Sequence, residues 1–300
     1  MITLTRPEGT KPEDLNLSRR GVATALFGGY AVFALSAEAA PITTDAAGLV
    51  TETVQVQAAD QQIPAFVARP DGKGRFPVVF VVSEVFGVHE YIRDTCRRLA
   101  KLGYAAIAPD FFIRAGDPST ITEFPAIQKI VSAASEAQVM GDIAATLAFL
   151  KKQKWADRAM AITGFCWGGA VTWLACARFK EFKAGCAWYG RLTRPAAGGF
   201  LSEPERTWPI EMVSQLKSPV IGNYAGKDQG IPVADVEKMR AALTAAGKLA
   251  DIKLYPDSQH GFHADYRASY DATAAADGWN RMLAHFAKNG VRPKVVKRAA

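Results

Sequence analysis

Several things are scarce in this 300-residue chain, and each scarcity closes off a class of function. There are only four cysteines, Cys96, Cys166, Cys176 and Cys186, and none sits in a CxxC or other metal-ligand spacing. There are only four histidines, His89, His260, His263 and His285, which leaves few candidates for a general base. No Gly-rich phosphate loop and no clustered ligand set is present, so neither a metal nor an organic cofactor is expected. A run of about 20 strongly apolar residues, the length a membrane-spanning helix needs, is also missing.

Positive charge is in excess by seven, but it is not spread over a binding face. Residues 1–39 hold four basic and four acidic groups, and they cancel. The last stretch, KNGVRPKVVKRAA, carries Lys288, Arg292, Lys294, Lys297 and Arg298 with no acid, which is five of the seven excess charges. What remains is a nearly balanced globule with a basic tail, and nucleic acid is not an expected partner.

The beginning of the chain reads differently. Arg19 and Arg20 precede an uncharged, Ala- and Gly-rich run from Gly21 to Ala37, followed by a small-x-small site at Ala37-Glu38-Ala39. That order is expected of an export signal of the twin-arginine type, cleaved after Ala39, with a periplasmic destination; an uncleaved anchor or a cytoplasmic protein are the alternatives. Residues 40–300 then form one domain, a monomer or small homo-oligomer. Cys96, Cys176 and Cys186 fall in apolar segments and read as buried structural thiols, with a Cys176–Cys186 bridge left open.

Hydrophobic patterning along this domain predicts a fold. TETVQVQ (51–57) alternates as a half-buried strand, and Ile63–Arg69 forms a second after a polar turn. FPVVFVV (76–82) is continuously apolar, as in a strand covered on both faces. Helices over Glu90–Leu102, Ser135–Lys151, Trp167–Phe179, Val233–Ala246 and Tyr270–Lys288 then alternate with strands at Tyr104–Pro109, Ala159–Gly164, Ala184–Tyr189, Ser218–Tyr224 and Ile252–Tyr255. Such alternation predicts an α/β fold, a mostly parallel central sheet with helices on both faces and an antiparallel opening pair. Two stretches break the rhythm, Phe112–Phe124 and Gly190–Gln215. Lying beyond strand ends, they are candidate pocket walls.

GFCWGG (164–169) is the segment with the most chemistry. Strand, G-x-Cys-x-G and helix together have the form of a nucleophile elbow with Cys166 in place of the usual serine. A tight turn there exposes the sulfur and sets it at a helix N-terminus, where a thiolate is favoured. Candidate partners follow in the order acid, then base. Asp228 ends the loop AGKD after a strand, and His260 follows the last strand in YPDSQHGFHADYR, with His263 as its rival.

GFCWGG, the loop at Asp228 and YPDSQHGFHADYR together resemble the dienelactone hydrolase family of the α/β-hydrolase superfamily, the carboxymethylenebutenolidase-like enzymes. The likeness runs from about Thr51 to Phe286. It implies an α/β-hydrolase fold, a Cys166–His260–Asp228 triad and hydrolysis of a dienelactone or related ester through a thioester, with no cofactor. In SEVFGVHEYIRD, Glu84 takes the place of the family glutamate that hydrogen-bonds the resting thiol, and the N–H groups of Val85 and Trp167 are the candidate oxyanion hole. PDFFIR puts Arg114 where the family binds a substrate carboxylate, which implies an anionic substrate. The best-known member has a second arginine four residues after the histidine. Here Ala264 stands there and Arg267 is the nearest arginine. The alternatives are a carboxylesterase or thioesterase on another substrate, a secreted binding protein without catalysis, and a redox role for Cys166.

Overall fold

The computed structural model describes residues 41–197, 199–203 and 205–294. The segment read as an export signal, and Lys297 and Arg298 of the basic tail, lie outside the described residues. Among the described residues no helix is long and apolar enough to cross a membrane.

Eight strands form a single sheet: β1 (Leu49–Gln57), β2 (Gln62–Pro70), β3 (Phe76–Val82), β4 (Ala105–Pro109), β5 (Ala156–Phe165), β6 (Phe182–Trp188), β7 (Val220–Ala225) and β8 (Ala250–Tyr255). Their order is β1-β2-β4-β3-β5-β6-β7-β8. β1, β2 and β4 pair antiparallel, and all other neighbours pair parallel. The expected antiparallel edge is therefore present. β1, at the rim, keeps alternating exposed positions, whereas β3, β4 and β7 are buried throughout.

Six α-helices stand among the described residues: α1 (Glu90–Lys101), α2 (Phe124–Ala133), α3 (Glu136–Lys152), α4 (Trp167–Arg178), α5 (Val233–Ala245) and α6 (Ala272–Lys288). Successive side chains on a strand point to opposite faces. Val78, Phe80 and Val82 accordingly pack with α3, α4 and α5, while Val79 and Val81 pack with α1 and α6. Helix α2 was not expected, because its apolar residues Ile127, Ile130 and Val131 are too few to set a period on their own. Side-chain caps explain two of the starts: Ser135 accepts from the Gln138 N–H ahead of α3, and Asp271 accepts from the Ala274 N–H ahead of α6.

The turn from β5 into α4 is tightly packed. A Cβ on Gly164 would lie 2.1 Å from the Gly168 carbonyl oxygen, and one on Gly168 would lie 2.4 Å from that of Val82. Only glycine lets the backbones of β3, β5 and α4 meet so closely. Gly168→Ala therefore forces backbone atoms apart. The expected cost is on the order of 2–3 kcal/mol, read as a lower midpoint in chemical denaturation. An unchanged midpoint would contradict this packing account.

Candidate active site

Cys166 occupies this turn, between β5 and α4, with φ 54° and ψ −114°, a conformation that non-glycine residues rarely adopt. The strain is held by hydrogen bonds on both sides. The Cys166 N–H donates to the Trp188 carbonyl at 3.0 Å, and its own carbonyl accepts from the Gly169 N–H at 3.0 Å. The side chain ends at the N-terminus of α4 and is almost wholly buried.

Asp228 follows β7 and His260 follows β8, so both come from loops at the same end of the parallel strands as Cys166. One oxygen of Asp228 accepts from the N–H groups of Gly230 (2.8 Å) and Ile231 (3.1 Å), which fixes the carboxylate. The other lies 2.7 Å from His260 Nδ1. On its other side the imidazole meets Cys166. Burial disfavours a charged ring, but the charges and hydrogen bonds of Asp228 and Cys166 outweigh it and push His260 up to about 10. Tyr189, itself at φ 37°, sets its ring edge-to-face on His260 with centroids 5.1 Å apart.

His263, the rival base, is placed elsewhere. Its Nδ1 lies 2.6 Å from the Tyr91 hydroxyl, inside a box made by Phe165, Trp188 and Trp279. Burial, helped by the charge of Arg98, pulls it down to about 3, so it stays neutral. The other cysteines also keep away from chemistry. Cys96, Cys176 and Cys186 are free and buried, and no Cys176–Cys186 bridge forms. Burial raises all three thiols, that of Cys176 to about 12.

At three expected positions the side chains meet protein partners. Glu84, expected to bond the resting thiol, instead accepts from Arg267 Nη2 at 2.8 Å and from the Tyr266 hydroxyl at 2.6 Å, with His89 Nε2 3.4 Å away. Burial alone would raise this carboxyl, but the Arg267 charge and the hydrogen bonds of His89 and Tyr266 hold it down to about 2. Arg267, expected to bind substrate, is the buried partner of that carboxylate and also donates from Nε to the Tyr266 hydroxyl at 3.1 Å. Arg114 is likewise engaged, with Asp60 at 2.6 and 2.7 Å and Asp142 at 2.8 and 2.9 Å. Four of its N–H···O contacts end on protein carboxylates. Tyr266 and Tyr189 were not singled out from sequence. Only the placement of Tyr266 and Arg267 just after the histidine motif could have drawn attention to the first.

Val85 and Trp167, the candidate oxyanion donors, follow β3 and open α4. Val85 lies in the turn closed by the Gly87 N–H on the Glu84 carbonyl, directly after β3. Trp167 is the first residue of α4, whose N–H has no acceptor within the helix. The contact of Gly168 with Val82 and Ser83 draws these two segments together.

A strained cysteine on a strand–helix turn, with an acid and a base at the ends of the next strands, defines an enzyme of the α/β-hydrolase class. The sequence pattern of the dienelactone hydrolase family matches residues 63–290, and the chain belongs to that family. A protein of Methylorubrum extorquens, named "putative carboxymethylenebutenolidase", is 48% identical over 279 residues, covering 92% of this chain and 94% of that one. A protein of the same name from Escherichia coli K12 is 40% identical, covering 90% and 98%. The crystal structure of a "putative dienelactone hydrolase" from Klebsiella pneumoniae is 42% identical, with a TM-score of 0.75, covering 80% of this chain and 99% of that one. The chain is thus a hydrolase of the lactone and carboxylic-ester class.

Asp228→Asn removes the anion facing the His260 ring. The ring pKa should then fall from its raised value toward or below the ordinary 6.5 of a histidine, as followed by NMR titration of its carbon-bound protons. The sign follows from the direction of the shift. In the native protein the charged ring is favoured, so this contribution to stability is complete below about pH 6.5 and is lost as pH rises toward about 10. A titration unmoved by Asp228→Asn would break the assignment.

Proposed function

We propose that the protein opens a lactone or cleaves a related carboxylic ester through a covalent thioester on Cys166. The observation that carries this reading is the chain of contacts from Asp228 through His260 to Cys166 at one end of the sheet. The Cys166 sulfur, as thiolate opposite the His260 imidazolium, adds to the carbonyl carbon. Negative charge then develops on the carbonyl oxygen, where the N–H groups of Val85 and Trp167 would receive it. The tetrahedral species collapses, the C–O bond to the alkoxide breaks, and His260 gives that oxygen its proton. In a lactone the departing alcohol stays tethered, as part of the thioester. Neutral His260 next takes a proton from water as the hydroxide adds to the thioester carbonyl. Expulsion of the thiolate releases the acid. Asp228 holds the ring in the tautomer that both halves require.

Cys166→Ala and His260→Ala should each lower kcat for a neutral aryl ester by at least about 10³-fold, with secondary structure unchanged. Retained turnover in Cys166→Ala would exclude the thioester route.

The twin-arginine reading of residues 1–39 supports export, and we propose that the working enzyme is periplasmic and begins after Ala39. Intact mass of protein recovered from a periplasmic extract should match a chain starting at Ala40. A full-length mass confined to the cytoplasm would refute this.

A further inference from the structure

We propose that Phe124 and Phe200 form the acyl-binding roof of this site and select a neutral, apolar ester over a carboxylate-bearing lactone. This rests on the Cys166 reading above and adds the class of substrate to it. The first observation is topological. Phe124 opens α2, beyond the loop after β4, and Phe200 lies in the loop after β6, yet their rings meet with centroids 6.4 Å apart. In the sheet, β3 and β5 stand between β4 and β6. Three strand spacings, about 14 Å, must therefore be bridged. The ends beneath that bridge are those of β3, leading to Glu84 and Val85, and of β5, leading to Cys166. Both phenylalanines also pack against the apolar clusters on both faces of the sheet, which is possible only for side chains lying across its end.

The two segments are fastened to each other. The Thr207 N–H donates to the Glu136 carboxylate at 2.6 Å, and Arg206 reaches the Ala134 carbonyl at 3.4 Å. Under the roof Cys166 is only 1% exposed, and Trp167 packs on Phe112 with ring centroids 4.8 Å apart. The wall offered to an acyl group is thus aromatic.

Charge in the same walls is already balanced. Arg114 is held by Asp60 and Asp142, Arg194 by Glu211, Arg206 by Glu203 and Arg267 by Glu84. Burial alone would raise the Asp235 carboxyl, but the hydrogen bonds of Thr193 and Lys238 and the charges of Lys238 and Arg191 hold it below its ordinary value. A substrate carboxylate would have to displace a protein carboxylate to gain an arginine, and at Arg267 and Arg114 the displaced Glu84 or Asp142 is buried and would be left poorly solvated. A neutral acyl chain meets no such opposition and gains apolar contact with Phe124 and Phe200.

The test uses the full chain with three probes: p-nitrophenyl acetate, p-nitrophenyl butyrate and a carboxylate-bearing dienelactone. The wild type should show kcat/KM for butyrate exceeding that for the dienelactone by about 100-fold. Phe200→Ala and Phe124→Ala should each lower the butyrate-to-acetate ratio by about 10-fold, mainly through KM, since each removes several methylene equivalents of acyl contact. Phe200→Leu should fall between. Alkylation of Cys166 by iodoacetamide should be faster in the alanine variants, a readout independent of turnover that also reports a folded site. A dienelactone used as well as butyrate, or a chain-length ratio unmoved in both alanine variants, would overturn the roof and its selectivity alone. Absence of turnover for all three probes would overturn the hydrolase reading with it.

Discussion

The close approach of Gly164, Gly168 and the end of β3 is the constraint on which the rest of the site depends. With no side chain at either glycine, α4 can begin within contact of the carbonyls that end β3. That approach turns the backbone at Cys166 into a positive φ and brings the Trp167 N–H beside the turn at Val85. Nucleophile and candidate oxyanion donors are therefore positioned by one packing event and not by separate devices. The cost of the strained φ, on the order of 1–3 kcal/mol, is offset by the sheet and helix that meet there.

Much of this was legible in the sequence because it is local. The parallel sheet followed from apolar runs alternating with helical periods, and Cys166, Asp228 and His260 each sit directly after a strand in a segment with its own signature. Choosing between His260 and His263 needed more than local pattern, because the two share one short segment. The structure separates them through partners far away in the chain, Asp228 for one and the Tyr91 box for the other. Element ends shifted by only one to three residues, but α2 was missed because its support is the burial of Ile127, Ile130 and Val131 in the core and not a long period of its own.

The partners of the arginines were not legible, for a related reason. A positive side chain in a loop near a site suggests an anionic ligand, but sequence does not say whether a carboxylate of the same chain already occupies it. Arg114 finds Asp60 and Asp142, and Arg267 finds Glu84 from 183 residues away. Such pairing is a long-range property of the fold, invisible to spacing. It also alters the reading of Glu84. A carboxylate that accepts from Arg267 and Tyr266 is held in its ionised form.

Burial then gives these pairs their weight. In water an arginine and a carboxylate gain little from meeting, and exchange with a ligand would be easy. Inside the protein, removing one partner strands the other as an unsolvated charge, so Glu84 and Arg267 act as a fixed unit. The same seclusion strengthens the interaction between Asp228, His260 and Cys166, since a charge shielded from water acts over its neighbours at lower dielectric. The ionised Glu84 and the raised His260 both follow from buried partners whose charges outweigh desolvation. Cys166 is almost wholly buried, and the charges that act on its surroundings, those of His260 and Arg267, are each held by a carboxylate of the same chain.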